Sequence, residues 1–112
     1  MNKISFADIG AVTATFMTAG EVKGGQVVKL TGNGKVGPCS DNEKFCGVAL
    51  NPRLGAAAVQ VKGFVEVPCS GSIPPGWAIL AANGKGGVKT ASAGVNVLVV
   101  SAQPDGTAVL CL

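Results

Sequence analysis

The sequence has no histidine and no tyrosine among its 112 residues. Without histidine, the commonest general base near neutral pH is missing, and cysteines have no imidazole partner for a mixed zinc site. Acid–base chemistry would depend on six carboxylates, of which only Asp41 and Glu43 lie close together in sequence, in a polar loop where solvation is the simpler interpretation. No Cys-x-x-Cys pair occurs among the cysteines, which are Cys39, Cys46, Cys69 and Cys111. We therefore expect no enzyme activity, no metal and no cofactor.

Charge is also scarce. Charged residues make up 13% of the chain and apolar residues 47%, with a formal net charge of +3. A free monomer of this composition has too few charges to cover its surface, so we expect partners to cover part of it. The basic residues are scattered without a run, which indicates no nucleic-acid partner.

Long apolar runs are absent too. Every apolar stretch ends well before the ~18 residues that a membrane-spanning helix requires. No apolar run of signal-peptide length follows the first methionine. We expect no membrane partner, a reducing compartment, and four free cysteines that pack as small hydrophobic side chains.

What the sequence does contain is strand pattern. In Ala56–Pro68 the apolar residues alternate with polar ones, which predicts one long strand with a buried valine face. Gly63 falls on that face in mid-strand, where a missing side chain indicates a bulge or the close approach of another backbone. The valines that define the face are Val59, Val61, Val65 and Val67.

The rest of the chain resolves into shorter strand-type segments between Gly-rich and Pro-rich turns, and no stretch has a helical period. The expected shorter strands are 10–18, 26–31, 35–39, 45–50, 77–82, 88–90, 95–102 and 107–112. Turns are expected at 51–55, 83–87 and 103–106, among others.

The predicted fold is all-β, a small β-sandwich or closed β-barrel with glycine-rich hairpin turns. Residues 1–9 are expected to form an extended N-terminal arm and residues 10–112 a single β domain. Addition of the arm as a strand to a neighbouring subunit or to the capsid is favoured, and folding back onto its own domain is the alternative. Laying 25–62 over 75–112 suggests an internal duplication, with chance similarity in a chain rich in Gly, Ala and Val as the alternative.

The glycine-rich segment Asn83–Thr90 is similar to the phosphate loop of partition-type ATPases. It lacks the glycine immediately before Lys89, and a strand-type sequence follows it instead of the required helix. A plain hairpin turn is the favoured interpretation. Just upstream, Trp77 follows Pro-Pro-Gly, where core packing at a strand start is favoured over an exposed anchor for a partner.

Several short motifs then occur in a recognisable order. Gly25-x-Val-Val is followed by Cys46-Gly47-Val48-Ala49, by the strand ending in Pro68, and by Ile73-Pro74-Pro75-Gly76. In this order the chain resembles the small capsid cement, or decoration, proteins of tailed bacteriophages, from about residue 20 onward.

The resemblance implies a non-enzymatic structural virion protein that binds the outer capsid surface and stabilises the shell by bridging major capsid subunits. The implied partners are the major capsid protein and the protein itself, as trimers in preference to dimers. It would be made in the host cytoplasm and located on the capsid surface. Another phage structural β-module, of the tail or baseplate or a carbohydrate-binding virion component, is the alternative. The candidate partner-binding residues are Ile4, Phe6, Ile9 and Trp77.

Overall fold

A computed structural model describes residues 10–112, which are all-β as predicted, without a helix. The strands begin and end close to the predicted positions, because apolar alternation and Gly or Pro turns set their limits. They are β1 (Val12–Thr18), β2 (Val27–Gly32), β3 (Lys35–Pro38), β4 (Gly47–Arg53), β5 (Ala56–Lys62), β6 (Phe64–Pro68), β7 (Gly76–Ala82), β8 (Val88–Thr90), β9 (Val95–Ala102) and β10 (Thr107–Cys111).

The strands form two five-stranded units. The first unit is a closed barrel in which β1, β3, β2, β4 and β5 are neighbours in that order, with β1 antiparallel to β5 and parallel to β3. In the second unit the order is β6, β10, β9, β7 and β8. A closed barrel is therefore present, and a second sheet accompanies it.

The two units share one strand order. Strands β1 to β5 correspond to β6 to β10, and each pair of neighbouring strands in the first unit has an equivalent pair in the second. The correspondence includes the link that closes the barrel. That link is the β1–β3 pairing in the first unit, and in the second unit it is a single parallel bridge between Cys69 and Val88. Register coincides as well, because Val27 pairs with Val48 and Trp77 with Leu98, at positions fifty residues apart. Internal duplication stays a prediction about origin, whereas the equivalence of topology is a property of the structure.

The predicted strand Ala56–Pro68 is wrong in one respect, because it is two strands in two different units. The chain leaves the first unit at Lys62 and enters the second at Phe64, with Gly63 between them at a φ of 98°. The predicted close approach is confirmed. A Cβ on Gly63 would lie 2.6 Å from the carbonyl carbon of Gly10 and 2.7 Å from the amide nitrogen of Ala11. Only glycine combines this φ with this contact.

The turn predicted at 51–55 is shorter than expected. Strand β4 continues through Pro52 to Arg53, and the turn itself consists of Leu54 and Gly55. Pro52 is tolerated because the register of the β4–β5 pair shifts between Ala49 and Pro52, which relieves the need for its missing amide.

The core divides unequally between the units. The barrel interior of the first unit is small and consists of Val28, Val36, Ala49 and Val59, with a few partly buried neighbours. A larger cluster fills the second unit and also takes in Val27, Phe45 and Val48 from the first. The larger cluster therefore spans both units, whereas the interior of the first barrel forms a separate cluster.

Candidate partner-binding surface

Of the four candidate binding residues, the structure describes Trp77. Its side chain is 73% exposed, at the start of strand β7. Ile4, Phe6 and Ile9 lie outside the described residues, as does the whole of the predicted arm 1–9. The favoured interpretation of Trp77 as a core residue is wrong, and the exposed position that was its alternative is the observed one.

Strand alternation explains why Trp77 is exposed. Ala78, Leu80 and Ala82 turn toward the large core, so Trp77, Ile79 and Ala81 lie on the other side of the strand, where Ala81 is nevertheless buried. Ile79, on that outer side, is 43% exposed. Strand β7 has apolar side chains on both faces. One face is buried in the large core, and the other is accessible at Trp77 and Ile79.

The outer apolar face continues across the sheet. Trp77 pairs with Leu98 on β9, Leu98 lies beside Cys111 on β10, and Cys111 pairs with Phe64 on β6. The inward neighbours of these residues belong to the large core, which places this row on the outer surface. Leu98, Cys111 and Phe64 are each half-buried. The sequence contained a signal for this row, since the predicted strands at 95–102 and 107–112 are apolar at both alternating sets of positions.

Two ion pairs involve the loop between β3 and β4, and one of them, Lys89–Asp41, joins the two units. Lys29 Nζ is 2.5 Å from Glu43 Oε2, and Lys89 Nζ is 2.8 Å from Asp41 Oδ1. The Ser40 amide also donates to Glu43 Oε1 at 2.5 Å. Asp41 and Glu43 are exposed to solvent, as predicted, with side chains 56% and 35% exposed, and each carboxylate also has a specific lysine partner that the sequence did not indicate.

Ion pairing and burial shift the pKa values of Glu43, Cys39 and Cys46. The hydrogen bond from Lys29, helped by the Ser40 amide, lowers the pKa of Glu43 below its usual value. Burial, reinforced by the negative charge of Glu43, raises the pKa of the Cys39 thiol to about 11. Burial also raises the pKa of Cys46. Both thiols are consequently protonated near neutral pH, which makes them poor nucleophiles.

The cysteines are free, as predicted. Cys69 is buried in the large core, and its thiol donates to the Gln103 carbonyl at 3.3 Å. The other three are only partly buried, so the expectation of small buried side chains is accurate for Cys69 and too strong for the rest.

The junction between the units has a polar residue that the sequence pattern did not single out. Gln60 is 1% exposed, and its side-chain amide donates to the carbonyls of Lys62 and Phe64 at 3.1 and 3.0 Å. These carbonyls flank Gly63, so Gln60 holds the crossing from both sides. A buried side-chain amide without acceptors would be costly, so these two hydrogen bonds explain how a glutamine is accommodated among the apolar residues of β5.

The glycine-rich segment forms the predicted hairpin turn between β7 and β8. The Asn83 side-chain oxygen accepts from the amides of Lys85 and Gly87 at 2.8 and 3.0 Å, and its nitrogen donates to the Ser70 hydroxyl at 2.7 Å. A phosphate loop presents such amides to the ligand. In this turn two of the backbone amides, those of Lys85 and Gly87, already donate to the Asn83 side chain.

Metal-binding groups and membrane-spanning helices are both absent from residues 10–112. No group of three or more His, Cys, Asp and Glu side chains in this range is arranged to hold a metal ion. The same residues include no helix with the length and apolar character to cross a membrane. No known family model matches the chain, and no curated protein is significantly similar to it.

Proposed function

We propose that the protein is a non-enzymatic structural virion protein that binds the outer surface of a phage capsid and stabilises the shell by bridging major capsid subunits. The observation that carries this proposal is the apolar row on the outer face of the second unit, with Trp77 at its exposed end. Exposed aromatic residues on an apolar surface are typical anchors of protein interfaces. Self-association, as trimers in preference to dimers, belongs to the same proposal.

The architecture supports a bridging role. A bridging protein must transmit force between the subunits that it contacts, so its parts must not move independently. Here the two units share a core through Val27, Phe45 and Val48, and the Lys29–Glu43 and Lys89–Asp41 pairs lie beside it. Close-packed interiors resist deformation, so contacts made on different units remain in fixed relation.

The predicted arm 1–9 supplies the second part of the proposal. Gly10, where the described residues begin, packs against Gly63 at the start of β6. Strand β6 is at the end of its sheet and pairs with β10 on one side. Ile4, Phe6 and Ile9 would bind a capsid subunit or a neighbouring copy in extended form, with main-chain hydrogen bonds giving affinity and apolar side chains giving register.

Co-sedimentation with expanded shells tests the proposal. The shells are assembled from the major capsid protein encoded in the same genome, and binding is compared for wild type, Trp77→Ser, Leu54→Ser and a chain lacking residues 1–9. Leu54 is the matched control because it is a fully exposed apolar residue on the β4–β5 turn.

We expect wild type and Leu54→Ser to pellet with the shells, and Trp77→Ser and the truncated chain to bind at least about tenfold more weakly. Shells treated with wild type should also dissociate at higher temperature. The absence of wild-type binding to expanded shells would overturn the proposal. Equal binding by Trp77→Ser would exclude the apolar row as the contact.

A carbohydrate-binding virion component is the second candidate, and the exposure of Trp77 is the observation that favours it. A flat, exposed indole can stack on a sugar ring. Tryptophan fluorescence titrated with host surface polysaccharide would detect such binding, because Trp77 is the only tryptophan in the chain. A saturable change in wild-type emission would favour this candidate, and unchanged emission would exclude it.

A further inference from the structure

The contact between the two units buries the outer face of β2 and β4 in the first unit, whereas the equivalent face of the second unit is exposed. Val27 and Val48 form a cross-strand pair on the outer side of the first barrel, since their neighbours Val28 and Ala49 face its interior. This pair is only 1% and 0% exposed, because it belongs to the core shared with the second unit. Hydrogen bonds lie alongside, with the Val27 amide donating to the Gly86 carbonyl at 3.0 Å.

The equivalent pair of the second unit has no such cover among residues 10–112. Trp77 and Leu98 occupy the same strands and the same register fifty residues later. Trp77 is nevertheless 73% exposed, with Ile79 beside it at 43% and Leu98 half-buried. We call Trp77, Ile79 and Leu98 the Trp77 face.

The opposite side of the internal contact is also present twice. In the second unit the receiving surface includes Leu80 and the turn that follows it, and Leu80 is completely buried there. The Ala82 amide donates to the Glu43 carbonyl, and the Ala82 carbonyl accepts from Asn42. These contacts show that the first unit is seated on this end of the second.

The equivalent end of the first unit is open. Leu30, fifty residues before Leu80, is 58% exposed, and the turn after it, residues 32–35, is exposed throughout. We call Leu30 and residues 32–35 the Leu30 end. Each chain thus carries one uncovered copy of each side of an interface that it already forms internally.

We propose that a second copy of this chain binds head to tail, with the Trp77 face of one molecule packed on the Leu30 end of the next. The contact repeats the internal one, in which an outer β2–β4 surface is covered by the β7–β8 end of the other unit. The Trp77 face contains no charged residue and the Leu30 end contains only Lys35, so no like-charge repulsion opposes the contact. This interface is heterologous, and it therefore closes into a ring or extends as a filament.

A trimeric ring is one closed form of this arrangement, so the inference deepens the self-association part of the proposed function. It concerns the protein alone and is tested without capsids. Both contacts use Trp77 and Leu98, so a molecule bound head to tail presents Cys111 and Phe64 of the apolar row to a capsid. A failure of self-association would leave capsid binding by a monomer intact, and a failure of capsid binding would leave the self-contact intact.

Complementary single variants provide the test. Sedimentation velocity is measured for wild type, Trp77→Ser, Leu30→Ser and the control Leu54→Ser, each alone and over a wide range of concentrations. Trp77→Ser and Leu30→Ser are then mixed in equal amounts. Each of these variants retains one intact half of the interface, so the mixture should form one-to-one dimers that stop there.

We expect wild type and Leu54→Ser to self-associate, and each of Trp77→Ser and Leu30→Ser to associate roughly 30-fold more weakly. Full self-association of Leu30→Ser would show that Trp77 faces meet each other symmetrically, and would overturn the proposal. So would a wild type that stays monomeric, or a mixture that gives no dimer. Equal melting temperatures of the variants at low concentration would show that all of them are folded.

Discussion

The first unit and the second unit have the same strand order, yet they bury different amounts of apolar surface. Inside the first barrel four small side chains are fully covered, and strand β1 is largely exposed. The second unit encloses most of its own inward side chains together with three from the first unit. The comparison shows that topology sets which residues face inward, whereas the neighbouring unit decides how thoroughly they are buried.

The comparison is tested most strongly at Leu80 and Leu30. Leu80→Ala should lower the free energy of unfolding by about 2–5 kcal/mol, because it leaves a cavity in the shared core. Leu30→Ala makes the same change at the equivalent position of the other unit and should cost no more than ~0.5 kcal/mol. Urea denaturation of dilute protein measures both values. Similar losses for the two variants would contradict the difference in burial.

The junction between the units is the next site to test. Gly63→Val should cost on the order of 3 kcal/mol, since a side chain there meets the Gly10 and Ala11 backbone at a positive φ. Gly71→Val is the control, because its φ of 72° is also positive and nothing lies within 4 Å of its Cβ position. We expect thermal melts to show a clearly larger loss for Gly63→Val. If the two variants melt together, backbone strain alone accounts for the cost and the contact with residues 10 and 11 contributes nothing.

The ion pair between Lys29 and Glu43, within the first unit, predicts a pH dependence of stability. The pKa of Glu43 is lowered in the folded protein, so this contribution to stability is complete above the pKa of the unfolded chain and is lost as the pH falls through the folded pKa. Unfolding free energies measured from neutral to acidic pH should therefore fall less steeply for Glu43→Gln than for wild type. Glu66→Gln removes one charge from an exposed site on β6 and should follow wild type. An unchanged slope in Glu43→Gln would contradict the prediction.

The smallest effect concerns reactivity at Cys39, which packs against the shared core. Its pKa of about 11 predicts that alkylation of this thiol keeps accelerating through pH 10. An ordinary cysteine reaches its plateau earlier, since its pKa is near 8.5. Mass spectrometry after timed iodoacetamide labelling would follow the Cys39 peptide. A plateau below pH 9 would show that Cys39 is more accessible than its position indicates.

Much of the fold was predictable because its determinants are local. Alternation located β1, apolar segments between turns located β7, β9 and β10, and the turns at 83–87 and 103–106 were predicted from Gly, Asn and Pro. The possibilities left open at the sequence level, a sandwich or a closed barrel, also cover the observed architecture. The fifty-residue offset placed equivalent strands at equivalent positions.

The errors share one cause, which is contact between distant parts of the chain. Nothing near Gly63 in sequence reveals that residues 10 and 11 pack against it and divide the long strand. Likewise, Trp77 and Val27 occupy equivalent strand positions, and only the placement of the second unit on the first makes Val27 a core residue and leaves Trp77 exposed. Gln60 was missed because a polar residue in an alternating strand normally faces water.

The asymmetry of the shared core also gives folding during synthesis a direction. All five strands of the first barrel have been made once the chain reaches Lys62, so this barrel has its own interior before the second unit exists. The second unit, by contrast, needs Val27, Phe45 and Val48 to complete its interior. Domains generally fold in the order in which they emerge from the ribosome. We therefore expect the first barrel to fold first and the second unit to be completed on it, because the reverse order would leave the larger core without these three side chains.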